Sequence, residues 1–242
     1  VPDIYFISDL HLSGQTLAET SNFLAWLPTL KSGDQLYMLG DFFDAWIGDD
    51  AAVAPEYQQI IAALTSTSDR GVNLYYMHGN RDFLVGSEVA RQAGMRLIAA
   101  PHLLRIGQLS LLLLHGDELC TDDAQYQQFR QHVRSPEWQA SFLAKPLTER
   151  REIANGLRAQ SEQQKQIKSM QIMDVNPEAV AALFRAHPDC VMIHGHTHRP
   201  ACHHVQLDQQ TRTRWVLPDW HGQHWGYLHL HQHQLSLHQF EA

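Results

Sequence analysis

The segment Val191-Met192-Ile193-His194-Gly195-His196-Thr197-His198-Arg199-Pro200 constrains the fold more than any other stretch of the chain. A short apolar run ends at a glycine, and two histidines two residues apart follow. Alternate side chains of extended backbone point the same way, so His196 and His198 can face one spot. The glycine lets the chain turn sharply and come close to whatever sits there. Two imidazoles held in this way suit a transition metal, although a His-x-His pair alone is a weak signal. The same design recurs upstream. Ile4 to Ile7 runs into Ser8-Asp9-Leu10-His11, and Gln35 to Leu39 into Gly40-Asp41-Phe42-Phe43-Asp44. Val72 to Met77 runs into His78-Gly79-Asn80-Arg81-Asp82, and Gln108 to Leu114 into His115-Gly116-Asp117.

Stretches with helical spacing lie between these runs. Thr20 to Leu30 carries Phe23, Leu24, Trp26, Leu27 and Leu30 on one stripe; Pro55 to Ser66 follows, then Ser87 to Ala93, closed by Gly94. Strand, polar tip and helix in repetition predict an α/β protein whose site lies along the carboxyl ends of its strands. From about residue 201 the pattern changes. Trp215-Val216-Leu217, Trp225 to His231 and Gln234 to His238 have no helix between them, which predicts antiparallel strands. Leu228 and Leu230 face one way and Tyr227, His229 and His231 the other. His229, His231, His233 and His238 therefore read as outer-face or surface residues rather than ligands. Residues 119–175 differ again. Asp122 to Val133 has helical spacing, Ser135-Pro136 opens another helix, and Arg150 to Met173 reads as a long helix weakly broken at Gly156. The expected organisation is a core from residues 1–118 and 176–242, with 119–175 inserted as a helical cap over the site.

Composition narrows the function classes. Net charge is −8, yet Arg130 to Lys168 carries +4, leaving −12 on the remainder. An acidic body argues against general nucleic-acid binding. The basic segment suits a local anionic partner, a phosphate or an anionic membrane surface, unless it is simply a solvated helix face. The longest leucine run, Leu111 to Leu114, is far short of the roughly 20 apolar residues that span a bilayer. No signal-peptide pattern is present, and a start at Val1 implies an initiator residue lost or replaced. Cys120, Cys190 and Cys202 lack metal-ligand spacing and are expected to be reduced, buried thiols of a cytosolic protein. Nothing in the sequence implies a protein partner.

Collected, the candidate ligands are Asp9, His11, Asp41, Asn80, His115, His196 and His198. Carboxylate, amide and imidazole donors without a thiolate can hold two divalent cations that share one carboxylate. This mixture points to Mn, Fe, Zn or Co rather than a structural zinc. Two cations about 3.5–4 Å apart suit in-line displacement at phosphorus.

The blocks Asp9-Leu10-His11, Gly40-Asp41-Phe42-Phe43-Asp44, Gly79-Asn80-Arg81-Asp82, His115-Gly116 and Gly195-His196-Thr197-His198 resemble those of the calcineurin-like metallophosphoesterases. The resemblance implies an α/β fold, an αββα sandwich. Trp46-Ile47-Gly48-Asp49-Asp50, Cys120-Thr121-Asp122-Asp123, Ile172-Met173-Asp174-Val175-Asn176 and His198-Arg199-Pro200-Ala201 are further similar to one branch, the UDP-2,3-diacylglucosamine diphosphatases of lipid A biosynthesis in Gram-negative bacteria. That resemblance implies one metal on Asp9, His11, Asp41 and His198 and another on Asp41, Asn80, His115 and His196, with Mn2+ the usual ion. It implies substrate contacts from Asn80, Arg81, Asp123, Ser161, Lys165, Lys168 and His196, and catalytic roles for Asp41, Asn80, Arg81 and His196. Lys165 stands where the branch varies, and Pro218 where a glycine is expected. The implied reaction is attack of metal-activated water on the α-phosphorus of UDP-2,3-diacylglucosamine, giving UMP and 2,3-diacylglucosamine 1-phosphate. The implied location is the cytoplasmic face of the inner membrane, with the protein attached peripherally, because substrate and product are amphiphilic.

Arg81 supports the substrate class through its chemistry. Many metallophosphoesterases have His after the Gly-Asn pair, which can protonate a departing alkoxide. An arginine cannot act as an acid at any ordinary pH, but it can clamp a phosphate with two hydrogen bonds. A phosphate monoester leaves readily without an acid, its second pKa being only about 6. Arg81 thus favours cleavage of a phosphoanhydride over a simple ester, unless His196 serves as the acid.

Overall fold

Alternating apolar residues sort the strands into two sheets. The structure, a computed structural model, describes residues 2–167 and 174–241. Strands β1 (Ile4–Ile7), β2 (Gln35–Leu39), β3 (Asn73–Met77) and β4 (Met95–Ile98) run parallel. The antiparallel pair β10 (His224–His231) and β11 (Gln234–Glu241) extends this sheet beyond β1. The second sheet holds β5 (His102–Ile106), β6 (Leu109–Leu113), β7 (Cys190–His194), β9 (Gln210–Val216) and β8 (Ala201–Leu207) in that order. Its central β6, β7 and β9 are parallel, and its two edge strands are antiparallel to their neighbours.

The period-two pattern explains why the sheets pack on each other. Ile4 and Phe6 of β1, Tyr37 and Leu39 of β2, and Leu228 and Leu230 of β10 meet Leu111 and Leu113 of β6 and Ile193 of β7. The other face of the first sheet buries Ile7, Leu36, Met38, Leu74 and Tyr76 under three helices. These are α1 (Leu17–Trp26), α2 (Pro55–Asp69) and α3 (Ser87–Gln92), which supply Phe23, Trp26, Ile60, Ile61, Leu64 and Val89. On the far side of the second sheet, Leu112 and Met192 pack against Val180 and Phe184 of α7 (Pro177–Ala186). Each such side chain taken from water is worth about 1.5–3 kcal/mol, so the layering α/β/β/α follows from where the apolar stripes fall.

Three further helices lie between β6 and α7 in the chain: α4 (Ala124–Val133), α5 (Pro136–Leu143) and α6 (Leu147–Ile167). Ser135 caps α5 by accepting from Trp138 N at 3.3 Å, and Asn176 caps α7 by accepting from Glu178 N and Ala179 N. Trp138, Phe142, Leu147 and Ile153 pack against the outer core of the first sheet. Arg150 donates from Nη1 to Ile47 O at 2.6 Å and pairs with Asp50, while Arg134 Nη2 donates to Gly79 O at 2.7 Å. These contacts hold the helices beside the carboxyl ends of β2 and β3.

Some expectations need correcting. Strands β4, β5 and β8 lie in stretches to which the sequence reading assigned no element. In β4 the run is short, and Arg96 and Leu97 are both exposed, so no clean alternation marks it. The strand around Trp215 pairs in parallel with β7 and antiparallel with β8, so it belongs to the second sheet while β10 and β11 belong to the first. Helix α1 starts at Leu17 rather than Thr20, and Pro28 turns its end into a 3-10 turn, Leu27–Thr29. Helix α6 runs through Gly156 unbroken, and its expected continuation to Met173 lies outside the described residues. Cys120 and Cys190 are buried as expected, but Cys202 is exposed, because it points outward from the edge strand β8.

Candidate active site

Because β1, β2 and β3 are adjacent and parallel, as are β6 and β7, their carboxyl ends reach one edge of the sandwich. Backbone hydrogen bonds join the loops that follow: Asp9 N to Gly40 O at 3.1 Å, His11 N to Asp41 O at 3.0 Å, and Gly195 N to His115 O at 2.8 Å. The approach is close enough to demand glycine. A Cβ on Gly79 would lie 2.2 Å from Asp41 N and Oδ1, and one on Gly195 would lie 2.1 Å from Asp9 Oδ2 and Ser8 Oγ. Asp9, His11, Asp41, His196 and His198 all adopt left-handed backbone, with φ of 57, 51, 51, 66 and 53°. Such conformations cost of order 1–3 kcal/mol each for residues with a side chain, and here they coincide with the candidate ligands.

Asp82 holds two of the loops together. Fully buried, its carboxylate accepts from Gly79 N (2.8 Å), Asp41 N (3.3 Å), Phe42 N (2.7 Å), Phe43 N (3.3 Å) and Tyr76 Oη (2.5 Å). Asp41 in turn accepts from Arg81 N at 2.8 Å, and Asp9 Oδ2 from His196 N at 2.8 Å. His115 Nδ1 pairs with Leu39 O at 2.8 Å, which turns Nε2 toward Asn80 Oδ1 at 3.0 Å and Asp41 Oδ1 at 3.6 Å. His198 Nε2 lies 3.4 Å from Asp9 Oδ1, with its Nδ1 3.3 Å from Asp219 Oδ2.

Charges follow from this crowding. Burial raises Asp41 to about 7, only partly offset by His115. Burial also opposes charge on His115, but the Asp41 and Asp9 carboxylates lift it to about 9. Burial likewise works against His198, yet its contacts with Asp219 and Asp9 bring it to about 10. Asp9 moves the opposite way: burial would raise it, and His198, His115 and His11 hold it well below the usual carboxylate range. Burial and the charge of His115 lower His196 to about 4, and burial with Arg81 depresses His11.

The donors fit divalent cations. Asp9, His11 and His198 offer ligand atoms within 4.8 Å of one another, and so do Asp9, Asp41 and His115. Asp9 Oδ1 and both ring nitrogens of His11 are buried without a hydrogen-bond partner, a cost that a bound cation removes. Asp9 belongs to both groups, and Asp41, the carboxylate the resemblance places between the two cations, to the second. His196 and Asn80 stand beside these groups, with the His196 ring centroid 5.1 Å from that of His115.

A sequence profile of calcineurin-like phosphoesterases matches residues 2–200. The chain belongs to that family. Among curated relatives, a UDP-2,3-diacylglucosamine hydrolase of Chromohalobacter salexigens is 49% identical over 221 residues, covering 90% of this chain and 89% of its own length. One of Serratia proteamaculans is 50% identical over 217 residues, 89% of this chain and 90% of its own. One of Escherichia coli O81 is 48% identical over 217 residues, with the same shares.

In this phosphoesterase the expected ligands Asp9, His11, Asp41, Asn80, His115, His196 and His198 gather at one edge, with Arg81 among them. Arg81 donates from Nη1 to Asp44 Oδ1 at 2.7 Å, and its Nε lies 3.7 Å from Asp41 Oδ2. The expected sugar-phosphate contacts are more dispersed. Asp123 serves as the N-cap of α4, accepting from Tyr126 N at 3.1 Å. Ser161 is exposed on α6. Lys168 lies outside the described residues, as does the side chain of Lys165. Pro218 is buried against Gly226, where a Cβ would sit 2.9 Å from Pro218 Cγ.

The sequence reading missed four residues beside the site. Asp219 backs His198; its signal was its place in Leu217-Pro218-Asp219-Trp220, where only Pro218 drew notice. Asp44 bridges Arg81 and Arg158, whose Nη2 reaches Asp44 Oδ2 at 2.5 Å and so connects α6 to the site. Asp117 is fully buried and accepts from Tyr126 Oη and Arg130 Nε, both at 2.7 Å, which ties α4 to the His115 loop.

Proposed function

We propose that the protein hydrolyses UDP-2,3-diacylglucosamine to UMP and 2,3-diacylglucosamine 1-phosphate. The observation that carries this reading is the extent of the likeness to hydrolases of that substrate, 49% identity over 90% of the chain. The tenth left unmatched is shorter than the stretch from Ala124 to Ile167, so the likeness includes inserted helices as well as the sandwich.

Asp9, His11, Asp41, Asn80, His115, His196 and His198 would hold two cations, for which we propose Mn2+, in keeping with their oxygen and nitrogen donors. Bound there, the cations supply Lewis acidity and activate water for in-line attack at phosphorus. The chain's own residues set the rest of the chemistry. Asp44 and the Arg81 backbone's bond to Asp41 fix Arg81 at the edge of the ligand set, where its guanidinium can bind the substrate's diphosphate and stabilise charge on the equatorial oxygens. Arg81 has no proton to give at ordinary pH, which favours a group that departs without an acid. A phosphate monoester meets that requirement. We further assign Asp123, Ser161, Lys165 and Lys168 to the sugar-phosphate, and the inserted helices (119–175) to a cap covering the acyl chains.

Among the described residues no helix is long and apolar enough to cross a membrane. An amphiphilic substrate then favours peripheral attachment, which we place at the cytoplasmic face of the inner membrane. The test is turnover of UDP-2,3-diacylglucosamine with Mn2+ in 18O water, beside bis(p-nitrophenyl) phosphate. Label in UMP is expected; faster cleavage of the diester, or label only in the lipid phosphate, overturns the reading. Arg81→Ala should lose turnover by roughly 100-fold or more while keeping its metal content, as expected for a group that stabilises transition-state charge.

A further inference from the structure

A second group of metal-ligating side chains lies at the amino end of β1, the length of that strand away from Asp9. His229 and His231 alternate on β10, so both project from its outer face, opposite Leu228 and Leu230. Strand pairing sets Tyr5 of β1 across from His229 and Ile4 across from Leu230, which brings Asp3 beside His231. One oxygen, Asp3 Oδ1, then faces both rings: it lies 3.3 Å from His229 Nε2 and contacts His231 Nδ1 directly. The three ligand atoms fall within 4.8 Å of one another.

Two of the three members are held by something other than the group itself. The His229 ring stacks on Tyr5 with centroids 4.6 Å apart and planes 5° from parallel. Asp3 donates from its backbone to Asp34 Oδ1 at 3.1 Å and accepts from Gln35 N at 2.9 Å. His229 Nε2 is buried and forms no hydrogen bond, even though the carboxylate is close by. A ring nitrogen and a carboxylate oxygen that face each other at 3.3 Å without a hydrogen bond would be satisfied by a cation between them. His231 is half exposed, so water can complete the coordination shell. The sequence placed both on the outer face of β10 and set them aside as ligands; the face is as expected. What the spacing could not show is the carboxylate brought to them from the other end of the chain.

We propose that Asp3, His229 and His231 form an additional divalent-metal site, separate from the strand-tip ligands, that takes an imidazole-preferring ion of the zinc class. Two imidazoles and one carboxylate, with open positions for water, match the donor preferences of Zn2+, Ni2+ and Cu2+ rather than Mg2+ or Ca2+. A metal there crosslinks the segment before β1 to β10. It would therefore add to stability without entering the reaction.

The test is equilibrium dialysis of the whole protein against Zn2+, with bound metal counted per chain by mass spectrometry. The His229→Gln/His231→Gln variant is expected to hold one equivalent less than the wild type, with unchanged Mn2+-dependent turnover and a smaller zinc-induced rise in Tm. Asp3→Asn, which keeps the side-chain shape should the double variant fold poorly, is expected to weaken binding of that one equivalent at least tenfold. A His11→Gln/His198→Gln variant should still bind it. Equal zinc counts in the wild type, the His229/His231 variant and Asp3→Asn would overturn the proposal, as would loss of every equivalent in the His11/His198 variant.

Discussion

Replacing Asp82 by asparagine tests whether one buried carboxylate holds the site together. Its two oxygens accept from four backbone N–H groups and the Tyr76 hydroxyl, which span the loops after β2 and β3. In the variant the amide oxygen can take the place of Oδ2 and keep Phe42, Phe43 and Tyr76. The amide NH2 then faces Gly79 N and Asp41 N, donor against donor. Two hydrogen bonds to a charged acceptor are lost, at roughly 1.5–3 kcal/mol each, so the cost is about 3–6 kcal/mol. That is a large share of a total stability of roughly 5–15 kcal/mol. For a chain of this size it should lower Tm by roughly 6–24 °C. Since Gly79 and Asp41 are the groups released, Asn80 and Asp41 lose their fixed spacing, and metal affinity should fall with stability. Calorimetry of the metal-free protein and metal analysis after dialysis measure the two effects, with the exposed Asp69→Asn as control. An Asp82→Asn protein that melts within 2 °C of wild type and keeps its metal would refute the reasoning.

Asp219→Asn should weaken metal binding about 10–100-fold, because the carboxylate behind His198 orients the ring, and titration calorimetry with Mn2+ would register it. Gly195→Ala should abolish stable metal binding while the circular dichroism stays native, since the new methyl group falls on Asp9 Oδ2 and Ser8 Oγ. Metal uptake should release protons. Without metal, His115 near 9 and His198 near 10 are charged at pH 7, and each must deprotonate to ligate. About two protons are therefore expected from them, with a further fraction from Asp41 near 7; affinity should rise with pH, and the release should vanish above about pH 10. Both histidines are raised above the ordinary value of about 6.5, so the stability they lend the metal-free protein is complete below that pH and lost as pH rises through 9–10. Calorimetry in buffers of differing ionisation enthalpy, and melts of metal-free protein across this range, check the two signs.

The ligand loops could be read from sequence because each is local. An apolar run and a donor sit within ten positions, with a glycine beside the donor in every loop but Ser8-Asp9-Leu10-His11, and the parallel pairing of neighbouring strands does the rest. The glycines were legible for the same reason, although only the structure shows that Gly79 and Gly195 are required by close approach. What escaped notice acts across the chain. Asp219 reaches His198 because the loop after β9 folds back, with Trp220 N bonded to Asp9 O, and no local pattern encodes that return. Asp44, Arg158 and Asp117 escaped for a related reason: each joins a loop of the sandwich to a helix between β6 and α7, and a charged residue on a helix looks the same in sequence whether it faces water or a carboxylate. Strands β4 and β8 were missed because neither shows a clear apolar run: β4 has four residues with Arg96 and Leu97 both exposed, and β8 (Ala201–Leu207) has no fully buried residue. A site so arranged separates two tasks. Neighbouring loops bring the candidate ligands together, and the carboxylates behind them (Asp82, Asp219, Asp117) fix how firmly they are held. Substitutions of the ligands and of the carboxylates behind them should therefore differ in kind: the first should remove metal outright, and the second should grade its affinity and the stability of the fold together.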